Sequence, residues 1–204
     1  IVTGETLDEL AEFAGVKDRV AAITARAMNG ELDFEAALDE RVGLLDGLST
    51  DMLAEAWKTV EYTGGAKTLV ATMKANGAFA ALVSGGFDFF TAAVRKELGF
   101  DFDQANVLMT KDGKLTGKVQ KPVLDRQAKV DALENLTAEH GMTVDDAMAV
   151  GDGANDLQMI SLAGTGVAFH AKPSVREQAR ICINHGDLTA LLYLQGYRKS
   201  EFVV

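Results

Sequence analysis

Four short runs, AFAALVS (78–84), AMAV (147–150), GVAF (166–169) and ICIN (181–184), are apolar almost throughout, with no polar residue at every second place. A strand with one wet face alternates; an unbroken apolar strand is buried on both faces, as in a parallel sheet covered by helices. Helical patterns separate the runs. One spans 65–76 and stops at Gly77, others span 87–98 and 125–140, a short one follows AMAV, and a last one starts at 187. Helices alternating with such strands predict an α/β fold built on a parallel sheet. One segment departs from it: NVLMTKDGKLTGKV carries Asp112-Gly113 between two short extended runs, the signature of a β-hairpin.

Residues 5–62 have a different texture. Leu7, Leu10, Ala11 and Ala14, then Val20, Ile23 and Ala27, then Phe34, Leu38, Val42 and Leu45, then Leu53, Trp57 and Val60 recur at helical spacing, with no strand pattern between them. Gly15, Gly30 and Gly47 fall where those helices should end, which predicts a small antiparallel bundle. The 204 residues carry 30 acidic and 20 basic side chains, a formal net charge of -10 with no basic cluster, which argues against nucleic acid and anionic membrane as partners. The lone Cys182 lies in an apolar stretch and reads as a small buried hydrophobe in a reducing compartment. No apolar run is long enough to span a bilayer and no secretory leader pattern opens the chain, so the expectation is a soluble cytoplasmic protein.

In a parallel α/β sheet, ligands lie beyond the carboxyl ends of the strands. Two such ends stand out, Ser84-Gly85-Gly86 after AFAALV and Gly151-Asp152-Gly153 after AMAV, the latter followed by Asn155 and Asp156. Ser84 reads either as the N-cap of the next helix or as a hydroxyl donor to a bound anion, with Gly85 letting a phosphoryl oxygen approach the backbone. Asp152 reads either as a turn residue or as an oxygen ligand for a hard cation such as Mg2+. Lys129 would by default be a solvated lysine. His140, His170 and His185 have no ligand spacing.

The succession SGGFD, QAKVDAL and VGDGANDL resembles the haloacid dehalogenase superfamily of phosphatases, and ETLDELAEFAGV, GELDFEAALDERVGLLDGL and KDGKLTG extend the likeness over essentially the whole chain. A lone GDGxND or SGG is weak; several motifs in the right order are strong. The resemblance implies a Rossmann-like core formed by 1–4 and 63–204, with a helical cap domain over 5–62. It also implies that the family's DxDxT motif, with its nucleophilic and acid aspartates and the first strand of the sheet, directly precedes Ile1.

By the same resemblance, Ser84 and Lys129 are catalytic, Gly85 and Asn155 touch phosphate, Asp152 ligates Mg2+, and Asp156 orients Lys129 or metal-bound water. Glu5 and Arg41 match the family's ligands for the ammonium and carboxylate of a zwitterionic substrate, and Met28 with Phe34 would form an apolar lid or else pack inside the bundle. Glu5 could instead serve only as a first-turn helix charge and Arg41 only as an exposed helical ion pair with Glu40 or Asp39. The implied reaction is hydrolysis of O-phosphoserine to serine and phosphate through an aspartyl-phosphate. A phosphatase or phosphotransferase for another small phosphorylated amine, or a non-catalytic phosphometabolite-binding protein, are the rival expectations. The oligomeric state is left open, a homodimer included.

Overall fold

A computed structural model describes every residue except Gly30, together with all side chains but that of Met28. Two residues of the sequence reading therefore lie outside the described residues, Gly30 as a helix stop and Met28 as a lid side chain. The chain divides into two compact units, Ile1–Val123 with Val203–Val204, and Leu124–Phe202.

The first unit begins with β1 (Val2–Thr3), then α1 (Thr6–Phe13), α2 (Lys17–Met28), α3 (Phe34–Gly43), α4 (Asp51–Trp57) and β2 (Glu61–Tyr62). The helices are those the periodicity predicts. The strand β2 is not: it pairs antiparallel with β1, Val2 opposite Tyr62 and Thr3 opposite Glu61. Its partner is about sixty positions distant, so no local pattern announces it. Leu7, Leu10, Val20, Leu38, Val42, Leu45 and Leu53 form the bundle core, as their spacing requires.

The unit continues with α5 (Ala66–Ala75), β3 (Ala81–Phe87), α6 (Asp88–Leu98), β4 (Phe102–Asn106), β5 (Leu108–Lys111) and β6 (Lys114–Val119). The strand β4 (FDQAN) runs parallel to β3 and escapes a hydrophobicity reading because it carries Asp103 and Gln104 itself, opposite Leu82 and Val83 of β3. Packing makes Asp103 tolerable, since its carboxylate accepts from Thr91 Oγ1 at 2.8 Å and meets Arg95 Nη1 at 3.2 Å, both on α6. The hairpin forms at the expected place, with Asp112 at φ 50 and Gly113 at φ 74 supplying the two left-handed residues of a tight turn. It shares the bundle's core through Leu108, Leu115 and Val119. Gly47 N–H donates to Leu115 O at 2.9 Å, and Leu115 N–H donates to Leu48 O at 2.8 Å. Gly117, at φ +64, would drive a Cβ to 2.9 Å from Asp46 Cβ, so only glycine permits this approach.

The second unit contains α7 (Arg126–Glu139), β7 (Met148–Gly151), α8 (Leu157–Leu162), β8 (Thr165–Phe169), α9 (Pro173–Arg176), β9 (Ile181–Ile183) and α10 (Ala190–Leu194). Its three strands lie in the order β7-β8-β9, all parallel, as the apolar runs predict. Cys182 corrects the sequence reading: it is exposed on the edge strand β9, where alternate side chains turn away from the sheet's covered face. Among the described residues no helix is long and apolar enough to cross a membrane.

Candidate active site

Two groups of residues stand at the carboxyl ends of parallel strands, one in each unit. In the first, β3 and β4 pair regularly from Ala81 to Val83, and the register then shifts before Phe87 meets Asn106. The shift frees Ser84-Gly85-Gly86 from the ladder. Ser84 does not cap a helix: the N-cap position of α6 is Phe87, and Ser84 Oγ instead accepts from Gly86 N–H at 3.0 Å. A Cβ on Gly86 would lie 3.1 Å from Ser84 Oγ and 3.6 Å from Thr6 Oγ1, so the loop packs closely against the start of α1. Phe34, at the first turn of α3 and 39% exposed, brings Cζ within 3.7 Å of where a Gly85 Cβ would stand. The Phe34 ring thus lies close beside Gly85.

Arg41 belongs to the same unit. Its Nε donates to Ala37 O at 3.1 Å, one turn back on α3, and among the described residues no carboxylate lies within ion-pair distance. Burial pulls its guanidinium below the usual arginine range, while the charges of Glu5 and then Asp8 push it back up. A half-buried guanidinium whose terminal nitrogens have no partner among the described residues is an available fork for a carboxylate. Its expected alternative, an exposed helical pair with Glu40 or Asp39, does not form. Glu40 pairs with Arg26 at 2.8 Å, and Asp39 with Lys121 at 2.7 Å. Glu5 precedes α1 and makes no side-chain cap hydrogen bond. Asp8, one turn further on, also faces Arg41 electrostatically and escapes a motif reading because surface aspartates in first helical turns are common.

In the second unit the turn after β7 is built around Asp156, which is 5% exposed. Asp156 Oδ2 accepts from the N–H groups of Asp152 at 3.1 Å and Gly153 at 3.0 Å, and Oδ1 meets Lys129 Nζ at 2.5 Å. Lys129, on α7, is itself buried, so it is no ordinary surface lysine. The glycines of the turn are required by crowding. A Cβ on Gly151 would stand 2.4 Å from Asp156 Cβ, and one on Gly153 would stand 2.4 Å from Asn155 Oδ1. Asp152 and Asn155 are exposed, and the Asp152 carbonyl accepts from Lys172 N–H at 3.1 Å while its carboxylate has no hydrogen-bond partner among the described residues.

An exposed, unpartnered carboxylate is a suitable oxygen ligand for Mg2+, which commonly takes one or two carboxylates and completes its shell with water and phosphate. Among the described residues no cluster of three or more His, Cys, Asp or Glu forms a ready-made cage. Asp152 therefore fits as one ligand of a set completed from elsewhere. A 390 Å³ concavity in this unit lies beside Gly164, Gly166 and Ile181, near the amino ends of β8 and β9, and is remote from the Asp152 turn along the strands.

Polar loops at strand ends, a buried lysine held by an aspartate and a GDGxND turn are features suited to binding a phosphate group. The chain belongs to the haloacid dehalogenase-like hydrolase family, whose model matches residues 1–161. Within that family it is similar to phosphoserine phosphatases. It is 44% identical to the one from Methanocaldococcus jannaschii over 94% of this chain and 91% of that protein. It is also 44% identical to the one from Streptomyces coelicolor, over 98% of this chain but 49% of that protein. The chain thus spans about half the length of the Streptomyces relative. A solved structure described as a substrate-bound phosphoserine phosphatase complex superposes with a TM-score of 0.87 at 44% identity, covering 95% of this chain and 92% of that one.

Proposed function

We propose that the chain is the catalytic part of a Mg2+-dependent phosphatase that hydrolyses O-phosphoserine to serine and phosphate, with 5–62 as its cap and 1–4 plus 63–204 as its core. The observation that carries the choice of substrate is Arg41, half-buried, without an ion pair among the described residues and close enough to Glu5 to feel its charge. The similar proteins described as phosphoserine phosphatases support the same reading.

Binding divides between the two ends of the substrate. Arg41 takes the carboxylate through a two-pronged contact, Glu5 balances the ammonium, and the Phe34 ring covers the carbon atoms between them. Ser84 Oγ–H and the loop's backbone N–H groups donate to the phosphoryl oxygens, and the family resemblance adds the Asn155 amide. By the same resemblance Lys129 brings a positive charge to the phosphoryl group, and Asp156 keeps its ammonium aimed. Asp152 would hold Mg2+, which when bound offsets charge on the transferring phosphoryl group.

The aspartates that the family resemblance sets directly before Ile1 complete the chemistry. One carboxylate oxygen forms a bond to phosphorus as the ester P–O bond breaks, and the second aspartate gives its proton to the departing serine oxygen. That aspartate then takes a proton from water, whose oxygen attacks phosphorus and releases the first carboxylate.

Phosphate release from O-phosphoserine and from phosphoethanolamine, which lacks the carboxylate, tests the assignment in the full-length protein. Arg41→Ala should cut kcat/KM for phosphoserine by about ten- to a hundredfold while leaving phosphoethanolamine nearly unaffected, because a charge-assisted contact contributes about 1.5–3 kcal/mol. Equal losses on both substrates would refute the carboxylate role. Preference of the unaltered protein for a different phosphorylated amine would refute the substrate itself.

A further inference from the structure

We infer that Asn106 is a positioning residue for the phosphoryl-binding loop, selecting the orientation of the Gly85–Gly86 peptide. The inference rests on the reading of Ser84-Gly85-Gly86 as that loop. Asn106 ends β4, is 2% exposed, and donates from Nδ2 to Gly85 O at 2.9 Å. A trans peptide carries its C=O and N–H on opposite sides. With the Gly85 carbonyl held by Asn106, the Gly86 N–H is turned the other way, where it reaches Ser84 Oγ at 3.0 Å.

The brace matters because this peptide joins two glycines. Glycine adopts positive and negative φ about equally readily, so a Gly-Gly peptide has little steric reason to prefer one orientation over its flip. The two orientations have opposite consequences for an anion. One presents an N–H donor beside the Ser84 hydroxyl; the other presents a carbonyl oxygen that repels phosphate. The ladder cannot decide, since the register between β3 and β4 is interrupted between Val83 and Phe87. An amide fixed in the interior at the end of the neighbouring strand decides instead. A buried amide whose donor meets a loop carbonyl also resists loss, because that carbonyl would then be left without its partner.

The test uses the full-length protein and inorganic phosphate as the probe. Asn106→Asp keeps the side chain's shape but sets a carboxylate oxygen against the Gly85 carbonyl; Asn106→Ser withdraws the donor without adding a charge. For folded protein, as judged by circular dichroism, each should weaken phosphate binding in calorimetry by about tenfold or more, the size of one lost hydrogen bond at the ligand. Each should also abolish the phosphate-induced shift of the Gly86 amide resonance and lower kcat. The preference for phosphoserine over phosphoethanolamine should stay within twofold of the unaltered protein, because the carboxylate end is untouched; a merely structural role for Asn106 would disturb both ends alike.

If the Asp variant does not fold, the Ser variant decides. Phosphate affinity within twofold of the unaltered protein in a folded variant overturns the role of Asn106 and leaves the functional reading standing. An unaltered protein that neither binds phosphate nor hydrolyses phosphoserine overturns the functional reading, and this inference with it.

Discussion

Replacing Asp156 with asparagine should break the second unit's most buried ion pair. The carboxylate is 5% exposed and Lys129 8%, and one Asp156 oxygen holds Lys129 Nζ while the other holds the N–H groups of Asp152 and Gly153. Asparagine has a single acceptor oxygen. If that oxygen keeps the two backbone donors, the amide NH2 faces the ammonium, donor against donor. If it turns to Lys129, the turn after β7 loses its brace. Either way Lys129 stays buried without a counter-charge, and removing one partner of such a pair costs about 3–5 kcal/mol. For a domain of this size that corresponds to a fall of roughly 6–20 °C in Tm. Thermal and urea unfolding followed by circular dichroism measure it, together with Lys129→Met and the double variant. The double variant should be less destabilised than the sum of the singles by at least about 1 kcal/mol, since methionine removes the stranded charge. A loss below about 1 kcal/mol in Asp156→Asn, or strictly additive singles, would refute the buried-pair reasoning.

Asp152→Asn should shift the Mg2+ concentration needed for half-maximal activity upward, and Mg2+ binding measured by calorimetry should weaken in parallel, because a neutral amide is a poorer ligand for a hard dication; unchanged curves would return Asp152 to a turn role. Asp101 resists burial's upward push on its carboxyl because Ala80 N–H donates to it at 2.9 Å and Lys74 pairs with it, so its pKa lies below the usual aspartate value. A depressed carboxyl contributes stability at pH values above its unfolded pKa, and that contribution disappears as pH falls through the folded one. Unfolding free energies of the unaltered protein and Asp101→Asn should therefore differ at neutral pH and converge as the solution is acidified below the ordinary aspartate range; a gap that persists there would refute the pairing.

The elements of this protein were legible where their causes are local. The apolar runs at AMAV, GVAF and ICIN became the parallel strands β7, β8 and β9, and Asp112-Gly113 became the hairpin turn, because strand burial and left-handed turn geometry follow from a few adjacent residues. The helices of 5–62 followed from the spacing of Leu7, Leu10, Leu38 and Val42, which fixes one apolar face per helix. Motif order carried the family and singled out Ser84, Lys129 and Asp152 as candidates. What the sequence could not determine depends on residues far apart in the chain. The strand β4 looked polar, and only Thr91 and Arg95 on α6 make Asp103 acceptable there. The strand β2 exists because β1 lies beside it, and Cys182 is exposed because β9 is an edge. Whether Arg41 was paired or available depended on Arg26 and Lys121 taking Glu40 and Asp39. Asn106 gained its meaning only when β4 carried it beneath Gly85. A hydrogen bond or an ion pair needs two partners at a distance of a few ångströms, and the tertiary structure alone supplies that distance.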